Sequence, residues 1–321
     1  MKPFAIVFPG QGSQAVGMLD AWGDHPQVQA ALQEASDALG EDIGQLIKNG
    51  PKEALALTTN TQPVMLVAGV AAYRVWMSEV GVAPAALAGH SLGEYSALVA
   101  SGVLTLAQAA PLVRFRAQAM QEAVPVGQGA MAAILGMDAA KVLAICAEVT
   151  ATFGANSAEI VEAVNFNDPG QTVIAGSKAA VEQACVTLKA QGAKRALPLP
   201  VSAPFHSCLM KPAALKLKDK LDATEFAAPQ IPVLNNIDVA IETEPTRIRD
   251  ALVRQAYGPV RWVECVQALQ ARGLPTLVEC GPGKVLAGMT KRIAPEMQGL
   301  ALFDPTSLAE VKTTLVEVPA A

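Results

Sequence analysis

The sequence predicts an α/β fold, a mostly parallel sheet whose chain is interrupted by a smaller inserted unit. Three observations carry that prediction. Short apolar runs ended by glycine alternate with helical patterns at both ends of the chain, as in parallel sheets connected by helices. A Gly-x-Ser-x-Gly run, Gly89-His90-Ser91-Leu92-Gly93, lies between one such strand and the next helix. Between them, residues 129–200 follow a different order, β-α-β-β-α-β, which is the ferredoxin-like split unit.

The elements follow in order. Phe4–Phe8 is short, apolar and stopped by Pro9-Gly10, as expected of a buried strand entering a glycine-rich turn. Helical periodicity covers Gln27–Leu39 and Pro63–Glu79. Pro84 restarts the chain, Ala85–Ala88 reads as a strand, and Leu92–Ala100 as a helix stopped near Gly102. Thr105 can cap a helix running to about Val124, with Pro111 near its first turn. Within the insertion the strands are Met131–Leu135, Ile160–Asn165, Gln171–Ala175 and Arg195–Leu199, and the helices are Asp138–Val149 and Lys178–Gln191. Asp168-Pro169-Gly170 turns the central pair, and prolines and glycines mark both borders. The expected division is therefore a core of residues 1–128 and 201–321 and an insertion of residues 129–200. The α/β rhythm then resumes with strand Pro232–Asn235, helices Thr246–Tyr257 and Pro259–Arg272, strand Thr276–Cys280, a Gly-Pro-Gly turn and a further helix. The last few residues read as a frayed tail.

Composition narrows the function. Of 321 residues, 51% are hydrophobic and 17% charged, which suits a large buried core and excludes disorder. The longest apolar stretch, Pro63 to Tyr73, is shorter than the roughly 18 residues a membrane span needs, and the N-terminus lacks a signal-peptide pattern. No membrane partner is expected. A net charge of −5, from 24 basic and 29 acidic residues, argues against a nucleic-acid surface. Five cysteines without paired spacing indicate neither disulfides nor a metal site, so a cytoplasmic location is expected.

Chemistry concentrates at Ser91. A sharp strand-to-helix turn projects the serine oxygen at the end of a strand, and the flanking glycines leave room for neighbouring backbone. The following helix aims free N–H groups and its positive end at a developing oxyanion. A serine at its ordinary pKa needs a base, and only three histidines are available. His25 lies in a polar stretch and reads as an exposed loop residue. His90 adjoins the serine, so its ring is expected to point away from Oγ. His206, in Ser202-Ala-Pro-Phe-His-Ser207 after a strand, is the favoured base. The turn Pro9-Gly10-Gln11-Gly12 follows another central strand and can bring a backbone N–H beside the nucleophile, pairing with the N–H of Leu92. Arg114 and Arg116 are two apart on one helix, so at most one faces a cleft, and Arg116 borders the apolar face.

Taken together, the chain resembles the malonyl-CoA:acyl carrier protein transacylases, loading enzymes of bacterial fatty-acid synthesis. The resemblance rests on FPGQGSQ at the start, GHSLGEYSAL at the serine, RAQAM after it, NDPGQTVIAG in the insertion, SAPFHS at the histidine, and RQAYGPVRW and VECGPGKVL near the end. It implies an α/β-hydrolase-like core with a ferredoxin-like insertion. It further implies Ser91 as acyl-accepting nucleophile, His206 as general base and then acid, and the N–H groups of Gln11 and Leu92 as oxyanion hole. Arg116 matches the arginine that grips the malonyl carboxylate, and the backbone carbonyl of Gln255 matches the group that orients the histidine. Asn165 is placed where the insertion faces the cleft. Pro204 departs from the small-residue pair usual before Phe-His and stiffens that loop. No cofactor or metal is implied; the substrates are malonyl-CoA, with CoA as product, and an acyl carrier protein, and a monomer is expected.

Carrier proteins of this kind are acidic, so basic residues are expected to receive them, with Lys189, Lys194, Arg195, Lys284, Lys291 and Arg292 as candidates. The alternatives are a related malonyl transacylase serving malonate decarboxylase or a polyketide pathway, a serine esterase or thioesterase, and an inactive carrier-binding scaffold.

Overall fold

A computed structural model describes residues 2–154, 157–201 and 203–316. The N-terminal half contributes strands β1 (Phe4–Phe8) and β2 (Ala86–Gly89) and helices α1 (Pro26–Leu39), α2 (Ile43–Asn49), α3 (Lys52–Ala56), α4 (Thr58–Glu79), α5 (Gly93–Ala100) and α6 (Leu106–Glu122). Strands β3 (Gly129–Leu135), β4 (Val161–Asp168), β5 (Gln171–Ser177) and β6 (Arg195–Pro198) follow, with helices α7 (Ala139–Thr152) and α8 (Lys178–Ala190). After them come α9 (Lys211–Asp222), β7 (Val233–Leu234), α10 (Pro245–Tyr257), α11 (Trp262–Ala271), β8 (Thr276–Cys280), α12 (Val285–Ile293), β9 (Gln298–Leu302) and α13 (Pro305–Val316).

Two sheets organise the molecule. The order β7-β2-β1-β8-β9 forms a five-stranded sheet with every pair parallel, and β4-β5-β3-β6 forms an antiparallel sheet. The mixed α/β class and the ferredoxin-like order of residues 129–198 both match the sequence expectation. In the parallel sheet β1 and β2 are buried on both faces, which is why they read as continuous apolar runs rather than alternating ones. Helix α4 crosses behind them and is buried from Gln62 to Tyr73, with Trp76 against Phe4.

Some boundaries differ for physical reasons. Helix α4 starts at Thr58, not Pro63, because Thr61 Oγ1 and Asn60 Nδ2 donate to the carbonyls of the preceding turn and so support a polar helical start. Helix α11 starts at Trp262, not Pro259. Val260 instead exchanges backbone hydrogen bonds with Val164 and Phe166 of β4, tying the insertion to the core. Helices α2, α3, α9 and α13 and strand β9 were not expected. Ser202 and the last few residues, expected as a frayed tail, lie outside the described residues.

One core feature sets a pH dependence. Glu279, on strand β8 between β1 and the edge strand β9, is fully buried, and its Oε2 accepts from the N–H of Ala287 at the start of α12 while Oε1 is without a partner. Burial pushes its carboxyl up to about 7, although the helix N–H groups pull it down. The native state then holds the proton more tightly than the unfolded chain. Between about pH 4.5 and pH 7 it therefore loses stability as pH rises, on the order of 3 kcal/mol for a shift of that size. Glu279→Gln is expected to raise the melting temperature at pH 8 and to leave it nearly unchanged at pH 5. Thermal melts at the two pH values check this, and an equal effect at both would show that Glu279 is not protonated in the fold.

Candidate active site

The serine turn is built where β2 meets α5. Ser91 has φ of 52°, a left-handed conformation that an L-residue holds only when its surroundings enforce it. A Cβ on Gly89 would lie 1.9 Å from the carbonyl carbon of Gly93, and one on Gly93 would lie 2.1 Å from the carbonyl oxygen of Phe8. Only glycine permits that approach, so both flanking positions of the motif are sterically required. Asn236, just beyond β7, clamps the turn: its Oδ1 accepts from the Ser91 N–H at 2.7 Å and its Nδ2 donates to the Gly89 carbonyl at 2.8 Å. Sequence reasoning missed Asn236, because it lies 145 residues away in a loop without a motif.

Around Ser91 Oγ the structure gathers the other expected groups. His206 Nε2 is 2.7 Å away, and His206 Nδ1 lies 2.9 Å from the backbone carbonyl of Gln255. Since that carbonyl can only accept, Nδ1 carries the proton and Nε2 is left to accept from Oγ. His206 is 5% exposed and itself has φ of 66°. The hydroxyl of Ser207 and the N–H of Ser207 both donate to the Pro204 carbonyl, closing a tight turn around it. The strand before this loop is β6 of the antiparallel sheet, so the insertion as well as the core delivers the imidazole. Burial, and then the positive charge of Arg116, lower the His206 pKa to about 3, which keeps the ring neutral.

Arg116, on α6, is 1% exposed. Its Nη1 donates to Gln62 Oε1 at 2.9 Å, and its Nη2 donates to Gln255 Oε1 at 3.1 Å and to Ser91 Oγ at 3.2 Å. Its Nε is buried without a partner, and no carboxylate forms a salt bridge with it among the described residues. Arg114 turns the other way and pairs with Glu41 at 2.7 Å, as the two-residue spacing requires. The backbone N–H groups of Gln11 and Leu92 donate to no described residue. Gln11, Ser91, Arg116, His206 and Asn165 line one cavity of about 140 Å³, with Met120, Met131 and Phe205 among its apolar walls. Asn165 Oδ1 is buried there without a partner.

The remaining histidines fall elsewhere. His90 turns away from Oγ, as expected, onto Asn167 Oδ1 at 2.8 Å and the ring of Trp262. His25 is not simply an exposed loop residue. It is half-buried and caps α1, its Nδ1 accepting from the N–H of Gln27, one of the first-turn donors that has no acceptor within the helix. Of the basic candidates, Arg292 is already engaged with Asp168 of the insertion at 2.8 Å.

A hydroxyl on a strained turn, a neutral imidazole and a buried guanidinium with no carboxylate in a salt bridge can together transfer an acyl group from an anionic thioester or ester. Residues 5–301 match the acyl transferase domain family. The malonyl CoA-acyl carrier protein transacylase of Escherichia coli strain K12 is 54% identical over 310 residues, covering 96% of this chain and 98% of that protein. The chain belongs to the malonyl CoA-acyl carrier protein transacylase family. Solved members of this transacylase family share the fold closely. An acyl-carrier-protein S-malonyltransferase from Burkholderia pseudomallei is 61% identical with a TM-score of 0.93, covering 97% of this chain and 99% of its own. A malonyl-transacylase solved in complex with a type II PKS acyl-carrier protein is 52% identical with a TM-score of 0.92, covering 96% and 98%. Among the described residues of this transacylase, no helix is long and apolar enough to cross a membrane.

Proposed function

We propose that this chain moves a malonyl group from CoA to the phosphopantetheine thiol of an acyl carrier protein, in fatty-acid synthesis, by way of a malonyl ester on Ser91. The observation that carries the reading is Arg116, a buried cation that packs over the Tyr95 ring, whose hydrogen-bond partners are two amides and the reactive hydroxyl, and which forms no salt bridge with a carboxylate among the described residues. A malonyl carboxylate supplies that anion through two parallel hydrogen bonds and sets its thioester carbonyl beside Ser91 Oγ.

His206 Nε2 takes the Ser91 proton as Oγ attacks the thioester carbonyl, and the N–H groups of Gln11 and Leu92 receive the oxyanion. The intermediate collapses with cleavage of the C–S bond, and the His206 proton goes to the departing CoA sulfur. The carrier thiol then gives its proton to His206 and attacks the ester carbonyl, and His206 returns the proton to Ser91 Oγ as the ester C–O bond breaks, so the kinetics are ping-pong. The Gln255 carbonyl stabilises the imidazolium in both halves. Residues 1–128 and 201–321 act as the catalytic core, and residues 129–200 as the cover over the cleft.

Mixing the protein with malonyl-, acetyl- and methylmalonyl-CoA and weighing it intact tests the reading. A malonyl adduct that transfers to an added carrier is expected, with acetyl loading slower by roughly 10²-fold, because acetyl leaves the arginine unpaired. Loss of the acyl group to water faster than to the carrier would make the chain a thioesterase. Against that outcome, His206 Nδ1 is held by the Gln255 carbonyl, and among the described residues no acidic side chain holds it in the manner of an esterase triad. The solved relative bound to a polyketide carrier makes such carriers a second set of acceptors to compare with a fatty-acid carrier.

A further inference from the structure

Glu94 stands on the first turn of α5, three residues past the nucleophile, and turns inward until it is 2% exposed. A buried carboxylate is costly unless it is well bonded. Its Oε2 accepts from the backbone N–H of Asn236 at 2.9 Å and from Gln255 Nε2 at 2.9 Å. Both partners reach the reacting groups. Asn236 clamps the serine turn through its side chain, as described above. Gln255 donates from Nε2 to the Ser91 carbonyl at 3.1 Å, accepts at Oε1 from Arg116 Nη2, and accepts at its backbone carbonyl from His206.

The Gln255 amide works in one of its two flips only. Its oxygen must face the guanidinium, which can only donate, and its nitrogen must face two acceptors. The guanidinium and the Ser91 carbonyl favour that flip, and an ionised carboxylate, which accepts and never donates, strengthens it, whereas a neutral side chain able to donate weakens it. The charged and titratable groups facing Glu94 are Arg116 from α6, Tyr95 from α5, Asp238 from the loop after β7 and Cys265 from α11, with Glu242 across a small cavity.

We infer that Glu94 is a positioning residue for the transfer reaction: its carboxylate locks the Gln255 amide so that Arg116 and Ser91 are held in register for the substrate's carboxylate. The inference rests on the malonyl-transfer reading above. Burial pushes the Glu94 carboxyl up to about 7, against the pull of Gln255, Asn236 and Arg116, so the lock is half-set near neutral pH. Because His206 stays neutral down to much lower pH, loading by the wild type is expected to rise with pH through about 7.

The test uses Glu94→Gln and Gln255→Leu, the latter keeping the carbonyl that holds His206, with their double variant. The readouts are Ser91 acylation by malonyl- and acetyl-CoA across pH 5.5–8.5, and melting temperature. Glu94→Gln is expected to slow malonyl loading roughly 10- to 100-fold, to narrow the malonyl-to-acetyl ratio, and to lose the rise near pH 7. Gln255→Leu is expected to narrow the same ratio, and the double variant to lose little more than either single one, since one acts through the other. An unchanged ratio and pH profile in Glu94→Gln overturns the inference, whether or not the melting temperature falls. If that variant does not fold, the wild-type profile decides: malonyl loading that does not rise with pH through about 7 overturns the inference. Absence of a malonyl ester on the wild type would instead overturn the functional reading itself.

Discussion

Ser91→Ala is expected to take up no malonyl group from malonyl-CoA and to lower transfer to the carrier at least about 10⁴-fold. No neighbouring group can replace the hydroxyl. His90 is turned onto Asn167, and the hydroxyl of Ser207 is committed to the Pro204 carbonyl. Of the cysteines, Cys265 and Cys280 are fully buried with thiols pushed far toward the protonated form, and none lines the cavity that holds Ser91. The fold should survive the change, because the turn is fixed by Gly89, Gly93 and Asn236 and not by Oγ. Alanine also tolerates the left-handed backbone no worse than serine does. Intact mass after brief mixing, with a melting curve as control, checks the result. An adduct of unchanged yield on a folded Ser91→Ala protein would move the nucleophile elsewhere.

How much of this site was legible in the sequence depends on how local each signal is. The serine turn is a five-residue device whose glycines are imposed by close backbone contacts, so Gly89, Ser91 and Gly93 announce it directly. The choice of His206 over His25 and His90 rests on scarcity and on position after a strand, and His206 Nε2 lies 2.7 Å from Ser91 Oγ. The two-residue spacing of Arg114 and Arg116 correctly implied that only one turns inward. Asn236, Gln62 and the side chain of Gln255 were illegible as partners of these groups. An amide hydrogen-bonded across the fold has no period and no neighbour motif to mark it. Glu94 was quoted within the serine motif yet not seen as buried, because helix α5 is enclosed on most sides and an acidic residue in its first turn reads as a solvated helix start. Among the elements, β9 was missed as a short strand at the sheet edge, and α9 because its exposed lysines dilute the apolar stripe of Ala213, Ala214, Leu217 and Leu221.

Arg116→Ala is expected to lower malonyl loading roughly 10²- to 10³-fold while acetyl loading changes little, so that the preference between the two nearly closes. The magnitude follows from losing a charge-assisted, bidentate contact in a site removed from water, about 3–4 kcal/mol. Arg116→Lys should fall between, since an ammonium keeps the charge but cannot present two parallel donors or hold Gln62 and Gln255 at once. A second consequence is independent of substrate. The guanidinium is, after burial, the main reason the His206 pKa is depressed, so removing it must raise that pKa toward, but not up to, the free imidazole value. The direction follows because a cation nearby disfavours the protonated ring, and burial remains when the cation is gone. Titrating the three imidazoles by NMR in both proteins reads this shift without any acyl group present. The same coupling operates during turnover. A malonyl carboxylate seated on Arg116 neutralises the cation just when His206 must accept the serine proton, so the substrate strengthens the base that attacks it, and acetyl cannot. An Arg116→Ala protein in which the malonyl preference persists and the His206 titration is unmoved would show that another group reads the carboxylate.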